Sequence, residues 1–482
     1  MASQEEINLD LTEYNQGTHK IALDYYNREL VPVSKSLKNW TWLNYTTVWA
    51  GMVHNVVQFE IAALLTFEFG PILALLITGL TYGTELVPMI LNGHIGAKYG
   101  IPFPVSVRAM FGIKGATLPV LLRGSVALFW FAVQTYVGGT IINAVISLAL
   151  PSWDLLTNPV IGMPANLAIS FFIFWTINVL VTFRGMGEVK FFELIVGPLI
   201  LGIFAFLAVF GIQLAHGIGP LFSVRGYEIA TPQNITLAIA SLAGAYATLV
   251  LNIMDFTRFA KTQKDQIIGQ SIGFPLIFLV FSLLAIIITS TMIHAFHISL
   301  SEAVNYVNPV NIMYLFTSNI VLAIGLGITL IFATVGTNVA ANLISPIYDI
   351  ISLFPKKIKS WKLSALVSSL VGILYIPWIW YNNANTIFEM INLLGSFLGA
   401  VAGVMMVYYW IIRKEKLSIA DLFKRYGEYW YNNGINWIAS LSTIIGLIPP
   451  LLGLLIPQLS IMFSLGFYLS LALGGTSFAV IT

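Results

Sequence analysis

The sequence predicts an all-α integral membrane protein with twelve transmembrane helices. Hydrophobic residues make up 57% of the 482 residues and charged residues only 9%, whereas a soluble domain has roughly 25% charged residues. Mean hydropathy is +0.85. A helix that crosses the bilayer needs about 20 apolar residues, and the chain has twelve such stretches: 42–67, 71–93, 117–149, 164–183, 189–214, 234–256, 267–293, 313–347, 361–379, 386–411, 436–455 and 459–480.

The distribution of positive charge supports this count and gives an orientation. When the twelve stretches cross the membrane in turn, every Lys and Arg except Arg225 falls on one side. Cytoplasmic loops retain positive charge, and the first 40 residues show no signal peptide. We therefore expect a multi-pass protein of the cell membrane with both termini cytoplasmic. The net charge of +2 reflects this topology and does not indicate nucleic-acid binding.

Two of the apolar stretches contain residues that weaken a helix. The first includes WAGMVHNVVQFE (49–60), in which Gly51 is followed by several polar side chains. The sixth includes ASLAGAYATLVLNIMDFTRF (240–259), with small residues around Gly244. Within a bilayer, unpaired backbone groups are tolerated only in protein or in a water-filled cavity. Paired interruptions in corresponding helices of two halves indicate a transporter with its substrate at the midplane.

Because these two stretches are five crossings apart, the chain is expected to contain two five-helix repeats, the second inverted. This predicts the following division: a cytoplasmic segment at 1–39, the first repeat at 40–216, the second at 217–412, a cytoplasmic loop at 413–435, and two additional helices at 436–482.

Several motifs resemble the nucleobase:cation symporter family, whose members carry uracil, cytosine, purines, allantoin or hydantoins. The motifs are LFWFAVQTYVGG, GAYATLVLNIMDFTRF, FATVGTNVAANLISPIYDI and GSFLGAVAGVMMVYYWIIRKEKLSIADLF. They are similar to helices three, six, eight and ten of that family, and the resemblance runs from about residue 40 to 437. It implies the five-plus-five inverted repeat of sodium-coupled amino acid transporters.

Trp130 and Gln134, in the first of these motifs, suit a flat cyclic amide. They are four residues apart and so lie on one helix face. The indole gives a stacking surface, and the carboxamide can both donate and accept hydrogen bonds, which a buried amide requires. The alternative from the residues alone is that Trp130 packs on a neighbouring helix and Gln134 bonds across it.

The resemblance implies four further substrate-binding positions. Tyr246 falls where the family often has a second stacking tryptophan, and Ala245 replaces a glycine before it. Asn342 matches an asparagine that bonds the substrate edge, and Asn55 stands where a hydantoin-carrying member has a longer glutamine. These differences leave the particular heterocycle open.

The resemblance also implies a sodium site between helices one and eight, made of backbone carbonyl and side-chain oxygens. Its positions here are Gly51, His54, Ala333, Gly336 and Thr337. Oxygen ligands are those that hard cations prefer. Thr337 keeps its hydroxyl, whereas Gly336 replaces a serine and removes one side-chain ligand.

That loss makes a proton the rival coupling ion, with Glu60 and His54 as candidate carriers. An ionisable residue within a transmembrane helix is costly and indicates function. The alternative for Glu60 is a structural ion pair, for instance with Arg123. Three other acidic residues in or near the predicted helices are expected to be structural hydrogen-bond partners: Glu85, Glu193 and Glu389.

The sequence thus predicts a secondary active importer of a nucleobase or related cyclic amide, which works by alternating access. We expect a small heterocyclic substrate, sodium or a proton as coupling ion, no other cofactor, and a functional monomer in the bilayer. The alternative is a symporter of amino acids or other small molecules with the same fold. An enzyme is not expected, because no catalytic motif is present and the chain has no cysteine.

Overall fold

The computed structural model describes residues 25–295, 308–314, 319–381 and 384–482. Within these ranges, ten helical stretches are long and apolar enough to cross a membrane. Two further pairs of helices meet the same criteria but are bent, by 69° and 77°, so that the total reaches twelve when each pair counts as one crossing.

The first half of the chain contains eight α-helices and one short hairpin. The helices are α1 (Trp42–Val53), α2 (Val56–Phe69), α3 (Pro71–Tyr99), α4 (Phe103–Phe111), α5 (Thr117–Ala149), α6 (Ala165–Thr182), α7 (Met186–Leu214) and α8 (Ile218–Phe222). The antiparallel strands of the hairpin are β1 (Pro159–Val160) and β2 (Met163–Pro164), which precede α6.

The described part of the second half contains twelve α-helices. They are α9 (Pro232–Asn252), α10 (Met254–Thr257), α11 (Gln263–Ser271), α12 (Ile277–Ala295), α13 (Pro309–Met313), α14 (Ile320–Thr337), α15 (Ile344–Leu353), α16 (Trp361–Ile373), α17 (Ala384–Met406), α18 (Trp437–Leu455), α19 (Ser460–Ser464) and α20 (Gly466–Ile481). Three crossings also contain a π-helical turn, at Ile272–Leu276, Asn338–Leu343 and Val407–Ile412.

The predicted break in the first crossing is confirmed between α1 and α2, and Asn55 explains how the backbone tolerates it. The Asn55 amide donates to the carbonyls of Met52 (3.1 Å) and Val53 (3.2 Å). Its oxygen accepts from the backbone N–H of Gln58 (3.0 Å), as an N-cap does. One side chain therefore satisfies backbone groups on both sides of the break.

The predicted break near Gly244 is wrong, because α9 is continuous from Pro232 to Asn252. Around this glycine stand alanine, leucine and tyrosine, which have no side chain suited to bonding freed backbone groups as Asn55 does. The small residue serves packing instead. A Cβ atom added to Gly395 of α17 would lie 2.8 Å from the Gly244 Cα, so the two helices touch at their backbones.

The long helix α5 lies in the centre of the bundle and is buried along most of its length. It packs against α6, α14, α15 and α16, and through the π-helical turn at Asn338–Leu343 it meets the middle of the eighth crossing. The break between α1 and α2 packs against α7, α12 and α14. The polar residues of both regions therefore lie deep inside the protein.

Buried polar contacts close the end of the bundle at which α3 finishes and α11 begins. Arg258, which is 3% exposed, donates to the carbonyls of Gly100 (3.2 Å), Glu29 (3.1 Å) and Val31. The Trp40 ring stacks on Phe259 with 5.6 Å between centroids. These contacts fix the segment before α1 against the end of the sixth crossing.

Candidate functional site

A cavity at mid-depth brings together all six residues predicted to bind substrate. Its volume is about 30 Å³, far below the range of about 300–1,000 Å³ for small-molecule pockets, so the side chains of its wall lie close together in this structure. The predicted residues in its wall are Asn55, Trp130, Gln134, Ala245, Tyr246 and Asn342. The remaining lining residues are Val57, Ile61, Thr248, Leu249, Thr337 and Ala341.

Gln134 presents a free hydrogen-bond acceptor in this cavity. Its Nε2 donates to the Oδ1 of Asn55 at 3.2 Å, so the neighbouring side chain fixes which way the amide points. Its Oε1 is buried and has no hydrogen-bond partner in the described part of the chain. A buried acceptor without a partner costs about 1–3 kcal/mol, and an N–H group of a ligand would remove that cost.

The two aromatic residues of the cavity are held by other rings. Tyr246 meets Tyr82 and Phe278 edge to face, with centroids 5.6 and 4.7 Å apart. Trp130 meets the Phe129 ring edge to face, with 5.7 Å between centroids. Such contacts restrict ring rotation, so both aromatic surfaces are fixed before a ligand enters.

A chain of amide hydrogen bonds positions Asn342 in the π-helical turn of the eighth crossing. Asn342 Nδ2 donates to Asn338 Oδ1 at 3.1 Å, and Asn338 Nδ2 donates to Thr135 Oγ1 at 3.1 Å. A π-helical turn changes the register of a helix and is often found at functional sites. Here it directs two asparagines toward α5, which carries Trp130 and Gln134.

Residues predicted for the cation site meet where the break contacts α14. The Thr337 hydroxyl lies 3.2 Å from the Gly51 carbonyl, 3.0 Å from the Met52 carbonyl and 3.3 Å from the Ala333 carbonyl. Gly336 is the preceding residue on α14. Met52 was not predicted, because a backbone carbonyl leaves no signal in the sequence.

His54 is fully buried at the end of α1. Its ring packs against Phe281 of α12 at 4.9 Å between centroids. Within the described ranges neither ring nitrogen has a hydrogen-bond partner. The structure therefore places the imidazole against the Phe281 ring, away from solvent.

Glu60 does not form the ion pair with Arg123 that was the alternative in the sequence analysis. Its Oε2 accepts a hydrogen bond from the Tyr381 hydroxyl at 3.1 Å. Arg123 instead lies 3.5 Å from Asp349, and both of these side chains are buried. An ion pair of Glu60 with Arg123 is thus wrong, because Arg123 pairs with Asp349 of α15, within the eighth crossing.

The expectation that Glu85 and Glu193 form structural hydrogen bonds is also wrong. Both are 0% exposed, and their carboxylate oxygens have no hydrogen-bond partner among the residues that the structure describes. The side chain of Glu389 lies outside the described residues. The sequence did carry a signal for Glu85 and Glu193, because both lie inside apolar stretches and buried acidic residues in membrane helices are usually functional.

A larger cleft joins the cavity to one end of the protein. It has a volume of about 340 Å³ and shares Ile61 and Ala245 with the cavity. It continues between α2 and α9 to Glu68 and Glu228. This is the end opposite Arg258, so the cavity has an approach from one side and a closed bundle on the other.

Known proteins resemble this chain over almost its full length. A family model described as a permease for cytosine/purines, uracil, thiamine and allantoin matches residues 32–474. An allantoin permease of Bacillus subtilis (strain 168) is 34% identical over 470 residues, which cover 95% of this chain and 93% of the relative. A putative allantoin permease of Escherichia coli (strain K12) is 30% identical, covering 88% and 87%.

One solved structure tests the fold directly. Mhp1, a nucleobase-cation-symport-1 family transporter in a closed conformation with bromovinylhydantoin bound, matches with a TM-score of 0.78. It is 25% identical, and the match covers 95% of this chain and 96% of Mhp1. The predicted fold class, a twelve-helix membrane protein with a five-plus-five inverted repeat, is confirmed. The chain therefore belongs to the nucleobase:cation symporter family, the permeases for cytosine, purines, uracil, thiamine and allantoin.

Proposed function

We propose that this protein imports allantoin, or a closely related cyclic ureide, by cation-coupled alternating access. The observation that carries the proposal is the free Oε1 of Gln134 in a cavity whose wall includes Trp130 and Tyr246. An imide-type N–H of a flat ring would donate to that oxygen while the ring faces the aromatic side chains. The allantoin permease of Bacillus subtilis supports this choice among the heterocycles that the family carries.

The wall of the cavity also suits the side group of a ureide. Allantoin is a five-membered cyclic diamide that bears a urea arm, so its polar groups point in more than one direction. Ala245 lies where the cavity meets the larger cleft, and its small side chain leaves room there. Asn342, also in the wall of the cavity, offers an amide for a second edge of the ring.

The oxygens near Thr337 fit a coupling cation. Four neutral oxygens lie together here: the carbonyls of Gly51, Met52 and Ala333 and the Thr337 hydroxyl. Neutral oxygen ligands of this kind suit sodium. We propose sodium or a proton as the coupling ion, with the cation site next to the helix break that also bounds the substrate cavity. Transport is then driven by an ion gradient.

We further propose that the protein works as a monomer in the cell membrane with both termini in the cytoplasm. In this orientation the end closed by Arg258 faces the cytoplasm, and the cleft that reaches Glu68 and Glu228 faces outward. Import would begin from such a state. We assign the first repeat to residues 40–216 and the second to residues 217–412.

Uptake of labelled allantoin into proteoliposomes tests this function. Sodium and pH gradients are imposed separately, and unlabelled hydantoin, uracil, cytosine and leucine are added as competitors. We expect allantoin to accumulate with one of the gradients, hydantoin to compete and leucine not to compete. Trp130→Ala should lose uptake, whereas Trp437→Ala, at a 60% exposed position, should retain it. Competition by leucine alone would favour the amino acid alternative and contradict the proposal.

A further inference from the structure

Glu193 lies against the cation region in a way that the sequence did not predict. A Cβ atom added to Gly51 would lie 1.4 Å from Glu193 Oε2, and one added to Gly336 would lie 3.0 Å from Oε1. The carboxylate therefore fills the space between the backbones of α1 and α14, which only glycines leave open.

The position of α7 keeps the carboxylate in this gap. One turn beyond Glu193, a Cβ atom added to Gly197 would lie 3.0 Å from the Gly51 backbone nitrogen. Helix α7 thus approaches α1 closely at two successive turns. The Glu193 side chain has no solvent exposure.

We propose that Glu193 holds the coupling cation with its carboxylate, in the space that Gly51 and Gly336 leave open. This inference rests on the proposed function. The neighbouring groups shown are acceptors: the Gly51, Met52 and Ala333 carbonyls lie around the Thr337 hydroxyl, whose single proton is directed toward them. No described residue donates a hydrogen bond to the carboxylate.

The charge balance makes a monovalent cation the fitting occupant. A buried carboxylate without a positive partner or a donor is strongly unfavourable. Carbonyl and hydroxyl oxygens add no charge, so one monovalent cation makes the site neutral. Sodium and a proton share this chemistry, and the experiment below separates them.

The site also has a direct connection to the substrate cavity. The Thr337 hydroxyl lies within hydrogen-bond distance of the Met52 carbonyl, and the Asn55 amide donates to the same carbonyl. The Asn55 oxygen in turn accepts a hydrogen bond from Gln134. A cation between α1, α7 and α14 would thus stabilise the same break that orients the substrate amide.

Equilibrium binding of labelled allantoin to purified protein, at varied sodium concentration and separately at varied pH, tests this proposal. The wild type should bind at least tenfold more tightly with one of the two cations. Glu193→Gln, which keeps the shape and removes the charge, should abolish that dependence. Dependence on sodium or on pH identifies the cation. The matched control is Glu85→Gln, also fully buried and without a described partner, which should keep the wild-type dependence.

Counterflow in proteoliposomes provides the second readout. Glu193→Gln should exchange labelled for unlabelled allantoin without accumulating it against a gradient. If the variant accumulates substrate and keeps the wild-type cation dependence, the proposal is overturned; it is overturned equally if Glu85→Gln loses the dependence to the same extent. Absence of allantoin binding in the wild type would instead refute the proposed function.

A second variant guards against misfolding of Glu193→Gln. Gly336→Ala would place a methyl group 3.0 Å from Glu193 Oε1, and the carboxylate must shift while its charge remains. Half-maximal stimulation of allantoin binding should then require a several-fold higher cation concentration. An unchanged cation requirement would contradict a site beside Gly336.

Discussion

At the scale of single residues, Asn55 connects the helix break with the cavity. Its amide donates to the Met52 and Val53 carbonyls, so its oxygen is the group left to accept from Gln58 and from Gln134. That arrangement uses the donor end of Gln134 and leaves its acceptor end free. The polarity of the candidate substrate site is therefore determined by how the break is capped.

Replacing Gln134 by leucine tests the role of the free acceptor. The variant should bind allantoin about 5- to 150-fold more weakly, because a substrate N–H left unpaired costs about 1–3 kcal/mol. Isothermal titration calorimetry of the purified protein measures the affinity. The control is Gln213→Leu, an exposed position near the end of α7, which should bind like the wild type. Equal affinities in all three proteins would remove Gln134 from the site.

Alanine substitutions at Asn55 and Asn342 should differ in their effect on stability. Asn55 makes hydrogen bonds to Met52, Val53, Gln58 and Gln134, each with a net value of about 0.5–1.5 kcal/mol, whereas the bond shown for Asn342 is to Asn338. Asn55→Ala should therefore lower the thermal denaturation midpoint in detergent more than Asn342→Ala does. The opposite order would mean that Asn55 does not support the break.

At the scale of elements, the apolar stretches predicted the crossings well and the interruptions only in part. Hydrophobicity reports where a helix meets lipid, so the third stretch, 117–149, coincides with α5. A break depends on which side chain takes over the freed backbone groups. Asn55 supplies such a group four residues after Gly51, whereas α9 runs unbroken past Gly244. The position of Glu193 depends on how α7 meets α1, which one sequence does not reveal.

The contact between α9 and α17 predicts a sharp difference between two glycine substitutions. Gly395→Ala would place a methyl group 2.8 Å from the Gly244 Cα and force the helices apart, so folded yield and uptake should both fall. Gly325→Ala meets no atom of the described residues within 4 Å and should be neutral or slightly stabilising, since alanine favours a helix by about 1 kcal/mol over glycine. Size-exclusion profiles of the solubilised proteins compare the yields. If both variants behave alike, the backbones do not touch there.

At the scale of the whole molecule, charge placement and site residues were accessible from sequence for different reasons. Segregation of Lys and Arg follows from insertion into the membrane, so composition along the chain is enough to give an orientation. The candidate substrate residues come from the break before α2, from α5, from α9 and from the eighth crossing. Only the resemblance to a known family grouped them before the structure did. The cation region depends on backbone carbonyls, and these are the same in every sequence.

The proposed orientation can be tested with single cysteines, because the natural chain contains none. Tyr227→Cys lies between α7 and α9 at a 56% exposed position, and Tyr426→Cys precedes α18 at a 78% exposed position. With both termini cytoplasmic, a membrane-impermeant maleimide should label only Tyr227→Cys in intact cells, and Tyr426→Cys only after permeabilisation. The reverse labelling pattern would mean that both termini lie outside the cell. The twelve-helix topology has an odd number of crossings between positions 227 and 426, so the two positions lie on opposite sides of the membrane. Labelling of both in intact cells would mean an even number of crossings between them and would contradict this topology.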